Sequence, residues 1–268
     1  MSSEPLPDII TTPNGNHIPR HEVVKLPQFL NAKTIVTEIA AKLIAKRSTS
    51  IAALEDLQTY SDTTLVVICT GNAGKTQEIT LWVENNIQEP RIIHQDKDAE
   101  SGAGNQPYGK GIWKGASGRI ADSASHFDQT LLSQHKIGTV LFVAIEDGID
   151  QFRLSYIKDD NNTLPQEGPV TYAVAVCYNA NDKSATVSNS NGVILNQDLL
   201  DEAKNGGFEG PTEMERGIVT YGEAAEKRYG VPKQNWHPTF CGSLIFDRYL
   251  YFHQNMMRQL AVPSVNKS

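Results

Sequence analysis

Lysine, arginine and carboxylates stand at the ends of apolar runs in this chain, and residues of those types so placed can hold phosphate. The run Leu65-Val66-Val67-Ile68-Cys69 feeds the turn Thr70-Gly71-Asn72-Ala73-Gly74-Lys75-Thr76. It is short and β-branched and reads as a buried strand, with a helix expected from Gln77-Glu78-Ile79 onward. Unpaired backbone N–H groups and the positive end of the helix dipole would then face the turn. A phosphate is stabilised in that position, with the Lys75 ammonium adding a full charge. Gly74-Lys75-Thr76 matches the ending of a P-loop, but that motif needs a glycine where Cys69 stands, so its wrap around the phosphates is not encoded. An ordinary strand-to-helix turn has the same composition.

Two further groups carry chemistry. Glu100-Ser101-Gly102 is followed by Gln106-Pro107-Tyr108-Gly109 and by Gly115-Ala116-Ser117-Gly118-Arg119. The glycines mark loops, and Arg119 is read as opening a helix through Ile120, Ala121 and Ala124, where a guanidinium can meet phosphate bidentately. A solvated helix arginine is the plainer reading of that residue. Val140-Leu141-Phe142-Val143-Ala144-Ile145 then runs into Glu146-Asp147-Gly148-Ile149-Asp150. Adjacent carboxylates at the end of a buried strand are costly unless they face water, metal or a cation, so the pair marks either a metal site or an acidic surface turn. Glu100 and Glu146 offer hard oxygen ligands for Mg2+ or Mn2+, Lys75 and Arg119 offer cations, and Thr70 and Asn72 offer hydrogen bonds. Asp147 is placed to orient or deprotonate an attacking water.

The elements that must position these residues alternate between strand and helix. Val170 to Tyr178 reads as a strand, with Ala185 to Ser188 returning beside it as a hairpin. Asn196 to Ala203 and Tyr221 to Arg228 read as helices ended by Asn205-Gly206-Gly207 and by Gly230 with Pro232. A last helix is expected over Asp247 to Leu260, with Tyr249, Phe252, Met256 and Leu260 as its apolar stripe. Before the core, Met1 to His21 is polar and proline-containing and reads as a mobile tail. Ile35, Ile39, Leu43 and Ile44 then recur at helical spacing, and Ile51 to Leu57 follows the capping hydroxyls of Ser48-Thr49-Ser50. The division is an extension over residues 1–60 and one domain over residues 61–268.

With 24 Lys and Arg against 31 Asp and Glu, the chain carries a formal charge of −7 and no basic run, which argues against affinity for nucleic acid. No apolar run reaches the ~20 residues of a membrane helix. Cys69, Cys177 and Cys241 sit near apolar segments without Cys-x-x-Cys spacing and read as buried thiols of a reducing, cytoplasmic compartment. His237, before Pro238, reads as structural.

In order and spacing, the motifs resemble the inosine/xanthosine triphosphatase family. Thr70-Gly71-Asn72-Ala73-Gly74-Lys75 is similar to its first strand-loop, Glu100-Ser101-Gly102 with Gln106-Pro107-Tyr108-Gly109 to its second motif, and Val143-Ala144-Ile145-Glu146-Asp147-Gly148-Ile149 to its central one. Arg248 with Tyr251, His253 and Gln254 resembles its C-terminal stretch more loosely. The resemblance spans about Leu65 to Leu260, and it departs at Lys110-Gly111-Ile112-Trp113-Lys114, where the family carries an acidic-threonine pair.

What the resemblance implies is an α/β fold, with a central twisted mixed sheet flanked by helices and two lobes around a nucleotide cleft. It further implies metal-dependent hydrolysis of inosine or xanthosine triphosphate to the diphosphate and phosphate, and a homodimer. Lys75, Glu146 and Asp147 would be catalytic, Glu100 and Glu146 would bind metal, and Thr70, Gly71, Asn72, Lys75, Arg119, Asp147, Arg248 and His253 would bind the triphosphate. Proline-rich coiled-coil proteins resemble the same domain. A catalytically inactive nucleotide- or protein-binding module is therefore the alternative.

Overall fold

The computed structural model of the chain describes residues 9–12, 14–19, 21, 23–24, 26, 30–46, 63–153, 167–209, 216–241 and 256–263. Two expectations lie outside these residues: the helix Ile51 to Leu57, and the greater part of the last helix with Arg248 and His253. The protein is α/β, built on a mixed seven-stranded sheet.

The sheet grows from β4 (Thr63–Cys69), the apolar run read from sequence. It pairs in parallel with β5 (Arg91–Asp96) on one side and with β7 (Ile137–Arg153) on the other, β6 (Gln106–Pro107) and α4 (Thr130–His135) falling between those two in the chain. Alternation along β4 sends Val66 and Ile68 to one face, against Ile79, Trp82 and Val83 of α2 (Ala73–Asn86). Leu65, Val67 and Cys69 go to the other face, against Ile112, Ala116, Ile120 and Ala124 of α3 (Lys110–Ser125). Successive crossovers on opposite faces make the end of β4 a topological switch point, where α/β sheets leave a crevice for ligands.

β7 overshoots β4. Its partner β8 (Glu167–Asn179) pairs antiparallel with it from Leu141↔Asn179 to Arg153↔Glu167. Glu146-Asp147-Gly148 therefore lies inside a strand, where the sequence suggested a strand end, because β8 satisfies the backbone through the polar residues. β9 (Ser184–Asn189) returns beside β8 as the expected hairpin. Beyond the overshoot a second lobe packs Leu199, Leu200 and Ala203 of α5 (Gln197–Asn205) against Tyr221, Ala224 and Ala225 of α6 (Tyr221–Tyr229), together with Trp236 and Phe240 of α7 (Trp236–Cys241). Both expected helices of this lobe are present. Asn196 caps the first, and Gly230, at φ 68°, ends the second. Met256 and Leu260 are buried as expected, and the Trp82 indole donates to the Leu260 carbonyl at 3.0 Å.

Helix α3 begins at Lys110, nine residues before the expected start at Arg119. Its glycines look like loop residues in sequence, yet they lie on a face packed too closely for side chains. A Cβ on Gly118 would run into the Ser101 carbonyl oxygen, and one on Gly115 would lie 2.9 Å from Glu146 Cγ.

The N-terminal extension is likewise no loose tail where it is described. β1 (Ile9–Thr11) and β2 (His17–Pro19) form a hairpin, and β3 (Val23–Val24) joins the main sheet by pairing with β10 (Gly192–Ile194). α1 (Ala32–Ala45) buries Ile35, Ile39 and Leu43, while Ile44 is 77% exposed and off the stripe assigned to it.

Gly118→Ala tests the close packing. Alanine favours a helix over glycine by about 1 kcal/mol, but an overpacking cost toward the upper end of roughly 1–3 kcal/mol, expected where a Cβ meets backbone, should reverse the sign. A thermal melt reads the result, and a higher Tm would contradict the packing.

Candidate functional site

The turn after β4 is built by Asn72. Its Oδ1 accepts from the backbone N–H groups of Gly74 and Lys75, both at 3.1 Å, so the helix starts at Ala73 rather than Gln77. The N–H groups that sequence reasoning left open for phosphate are thus partly engaged by the cap. Thr70 is buried, and its hydroxyl accepts from the Asn72 N–H at 3.2 Å, while Gly71 is exposed. Gln95, which the sequence did not single out, fixes the turn to β5. Its amide donates to the Thr70 carbonyl at 2.9 Å and to Thr76 Oγ1 at 2.7 Å.

Lys75 points from the first turn of α2 onto β7. Its Nζ lies 3.1 Å from Glu146 Oε1 and 3.3 Å from Asp147 Oδ2. Arg119 holds the other oxygen of the same carboxylate, Nε to Oε2 at 2.8 Å, and donates a second hydrogen bond to the Ala99 carbonyl at 2.7 Å. Lys75 and Glu146 are buried. Burial alone would push the Lys75 ammonium down, but Asp147 and Glu146 more than reverse this, and its pKa is raised above the usual 10.5. Lys75 is therefore charged throughout the physiological range.

The cluster opens onto a cavity of about 190 Å³ between the sheet and the second lobe. Asn72, Lys75, Glu146 and Asp147 form one wall, and Thr220, Tyr221, Lys233, Trp236 and His237 line the opposite one. Sequence reasoning missed the second wall apart from His237, which it read as structural. One legible signal was the pair Thr220 and Glu223, whose side chains and backbones bond reciprocally in a capping box at the start of α6. His237 is buried, with its ring 3.5 Å from that of Trp236.

Four predicted residues, Arg119, Glu100, Thr70 and Gly71, stand outside the cavity lining. Arg119 does not line the cavity, since its guanidinium sits behind Glu146. Glu100 is exposed and outside the cavity lining, and its backbone N–H donates to Asp122 at 2.9 Å. Thr70 likewise acts through the turn. Lys110 lines a separate cavity with Tyr108 and Phe208. Cys69 and Cys177 are buried as expected, and burial pushes the Cys69 thiol up to about 12.

Among the described residues no three His, Cys, Asp or Glu side chains converge as a metal site. Glu146 and Asp147 remain as two hard oxygen donors facing one cavity. Magnesium is commonly held by one or two carboxylates together with substrate phosphates and water, so the pair fits such an ion in company with a phosphorylated ligand.

No protein-family profile and no curated protein matches this chain. Solved structures do match. Among them is the crystal structure of protein VC0702 from Vibrio cholerae, at 14% identity and a TM-score of 0.48, covering 72% of this chain and 91% of that one. No helix among the described residues is long and apolar enough to cross a membrane.

The paired lysine gives a stability signature. Lys75→Met leaves the Glu146 and Asp147 carboxylates with Arg119 as the one cation bonded to the pair among the ion pairs described, and should cost about 3 kcal/mol in denaturant unfolding at pH 7. Because the folded-state pKa is raised, the contribution of Lys75 is complete below pH 10.5 and fades as pH climbs through the higher folded value. The gap between wild type and variant should therefore narrow above pH 10.5. A constant gap across that range would contradict the ion pairs.

Proposed function

We propose that the protein hydrolyses inosine and xanthosine triphosphates to the diphosphate and phosphate, as a homodimeric cytoplasmic enzyme that cleanses the nucleotide pool. The observation that carries this reading is the convergence of Lys75, Glu146 and Asp147, from separate motifs, on one cavity at the switch point of the sheet. The family resemblance supplies the choice of base.

In this reading Lys75 and Asn72 receive the phosphates, and Asp147 orients the water that attacks the terminal phosphorus. The bond from that phosphorus to the bridging oxygen breaks, releasing orthophosphate and leaving the nucleoside diphosphate. Magnesium or manganese bound with the substrate at Glu146 and Asp147 would offset the negative charge that grows on the leaving oxygen. Arg119 acts indirectly, fixing Glu146 from behind. A cavity of about 190 Å³ is smaller than the roughly 300–1,000 Å³ of ligand pockets. A whole nucleotide therefore requires the two walls to part.

A second reading, an inactive binding module of the same fold, is favoured by the exposed position of Glu100 and by the engagement of the Gly74 and Lys75 amides with Asn72. Phosphate and pyrophosphate release from inosine, xanthosine, adenosine and guanosine triphosphates, with magnesium and with chelator, separates the two. The hydrolase reading expects metal-dependent turnover favouring the first two substrates. It also expects Glu146→Gln to cut turnover by about 10²–10³-fold with the fold retained, the scale of losing one electrostatic group from a catalytic site. Absence of turnover from folded protein would leave the binding module.

A further inference from the structure

We propose that the N-terminal segment from Ile9 to His21 is a working part of the cleft, with His21 a positioning residue for Tyr221. The inference rests on the reading of the cavity as the nucleotide site.

The segment is fastened along α6 at both ends. His21 is buried, at 7% exposure, with Nε2 2.7 Å from the hydroxyl of Tyr221, a residue two hundred positions later. Its backbone N–H donates to the Phe240 carbonyl at 2.8 Å, and its ring centroid lies 4.9 Å from that of Phe240. At the far end of α6, the tip of the β1–β2 hairpin presses on the helix terminus. A Cβ at Gly230 would lie 2.5 Å from Asn14 Oδ1.

Tyr221 is the junction between this brace and the cavity. It is the first residue of α6 and lines the cavity, and its ring lies 4.8 Å from that of Trp236, another wall residue. The Tyr221 backbone N–H donates to Gln106 at 3.1 Å, and its hydroxyl receives the Asn196 N–H at 3.2 Å. A phenol that accepts from Asn196 has its own proton to donate, and the imidazole Nε2 at 2.7 Å is placed to accept it. His21 thereby sets where the second wall stands relative to Lys75 and Glu146. Its loss should weaken the closed complex without touching the reacting atoms.

The test compares wild type, His21→Phe and His21→Gln by amide hydrogen exchange and by steady-state hydrolysis of inosine triphosphate with magnesium. Phenylalanine keeps the ring packing against Phe240, and glutamine restores a hydrogen-bonding end. His21→Phe should speed exchange across Tyr221 to Tyr229 while leaving Ala73 to Asn86 unchanged. KM should rise about fivefold with kcat within about twofold, the scale of one hydrogen bond. His21→Gln should return both toward wild type.

Unchanged exchange across α6, or faster exchange with an unaltered KM, would overturn the proposal. Should the wild type turn over no inosine triphosphate, the functional reading fails, and the exchange contrast with its glutamine rescue decides the brace by itself. Should His21→Phe not fold, Asn14→Ala, at an exposed hairpin tip, must speed exchange at the Gly230 end of α6, and no change there would also overturn it.

Discussion

The structure is arranged around one buried carboxylate. Glu146 enters an apolar sheet where a lone charge costs several kcal/mol to desolvate, and it is tolerable only because a cation is bonded to each of its oxygens. The two cations come from different elements, Lys75 from α2 and Arg119 from α3, which lie on opposite faces of the sheet. The ion pairs therefore also fix how the helices sit across β4. Asp147 adds a second acceptor for Lys75, so two cations face two carboxylates and the cluster is balanced without a ligand. A bare anion would have to take Lys75 from its partners. A phosphate arriving with a divalent cation brings charge of both signs and can exchange partners on each side.

Topology supplies the room for that exchange. Because β4 stops at Cys69 while β7 continues alongside β8, Glu146 and Asp147 stand past the end of β4, with backbone still paired. β7 carries Ile149 into the core of the second lobe, so the strand that presents the carboxylates also anchors the opposite wall. The small residue at Gly115 completes the arrangement, since a side chain there would occupy the space of the Glu146 methylene.

What the sequence made legible follows from locality. β4, its turn and the Glu146 strand were readable because each is a contiguous run with chemistry at its end, and α5 and α6 because capping residues bracket them. Helix α3 was misjudged because glycine signals a loop unless one knows what lies against it, and the Ser101 backbone and Glu146 are remote in the chain. The hairpin near the N-terminus was missed because it is polar and short, and its anchor, His21, is meaningful only beside Tyr221. The second wall was invisible for the same reason. Lys233 and Trp236 carry no motif until the fold brings them opposite Lys75, and the Thr220–Glu223 capping box by itself marks only a helix start.

Asn72 caps its helix and still offers donors to the cavity. Sequence reasoning gave the phosphate to the open N-terminus of α2, but the side-chain oxygen of Asn72 already takes the amides of Gly74 and Lys75. With Oδ1 turned to the backbone, the Nδ2 amide and its two N–H donors remain as the free polar end of a residue that lines the cavity. Aspartate or serine would cap the helix as well. Aspartate, however, would add a third negative charge beside Glu146 and Asp147, and a capping serine keeps only one O–H donor, on the same short oxygen that takes the amides. Asparagine satisfies the helix with one end and presents two donors on the other, passing the positive character of the helix end to the cavity through its own amide dipole.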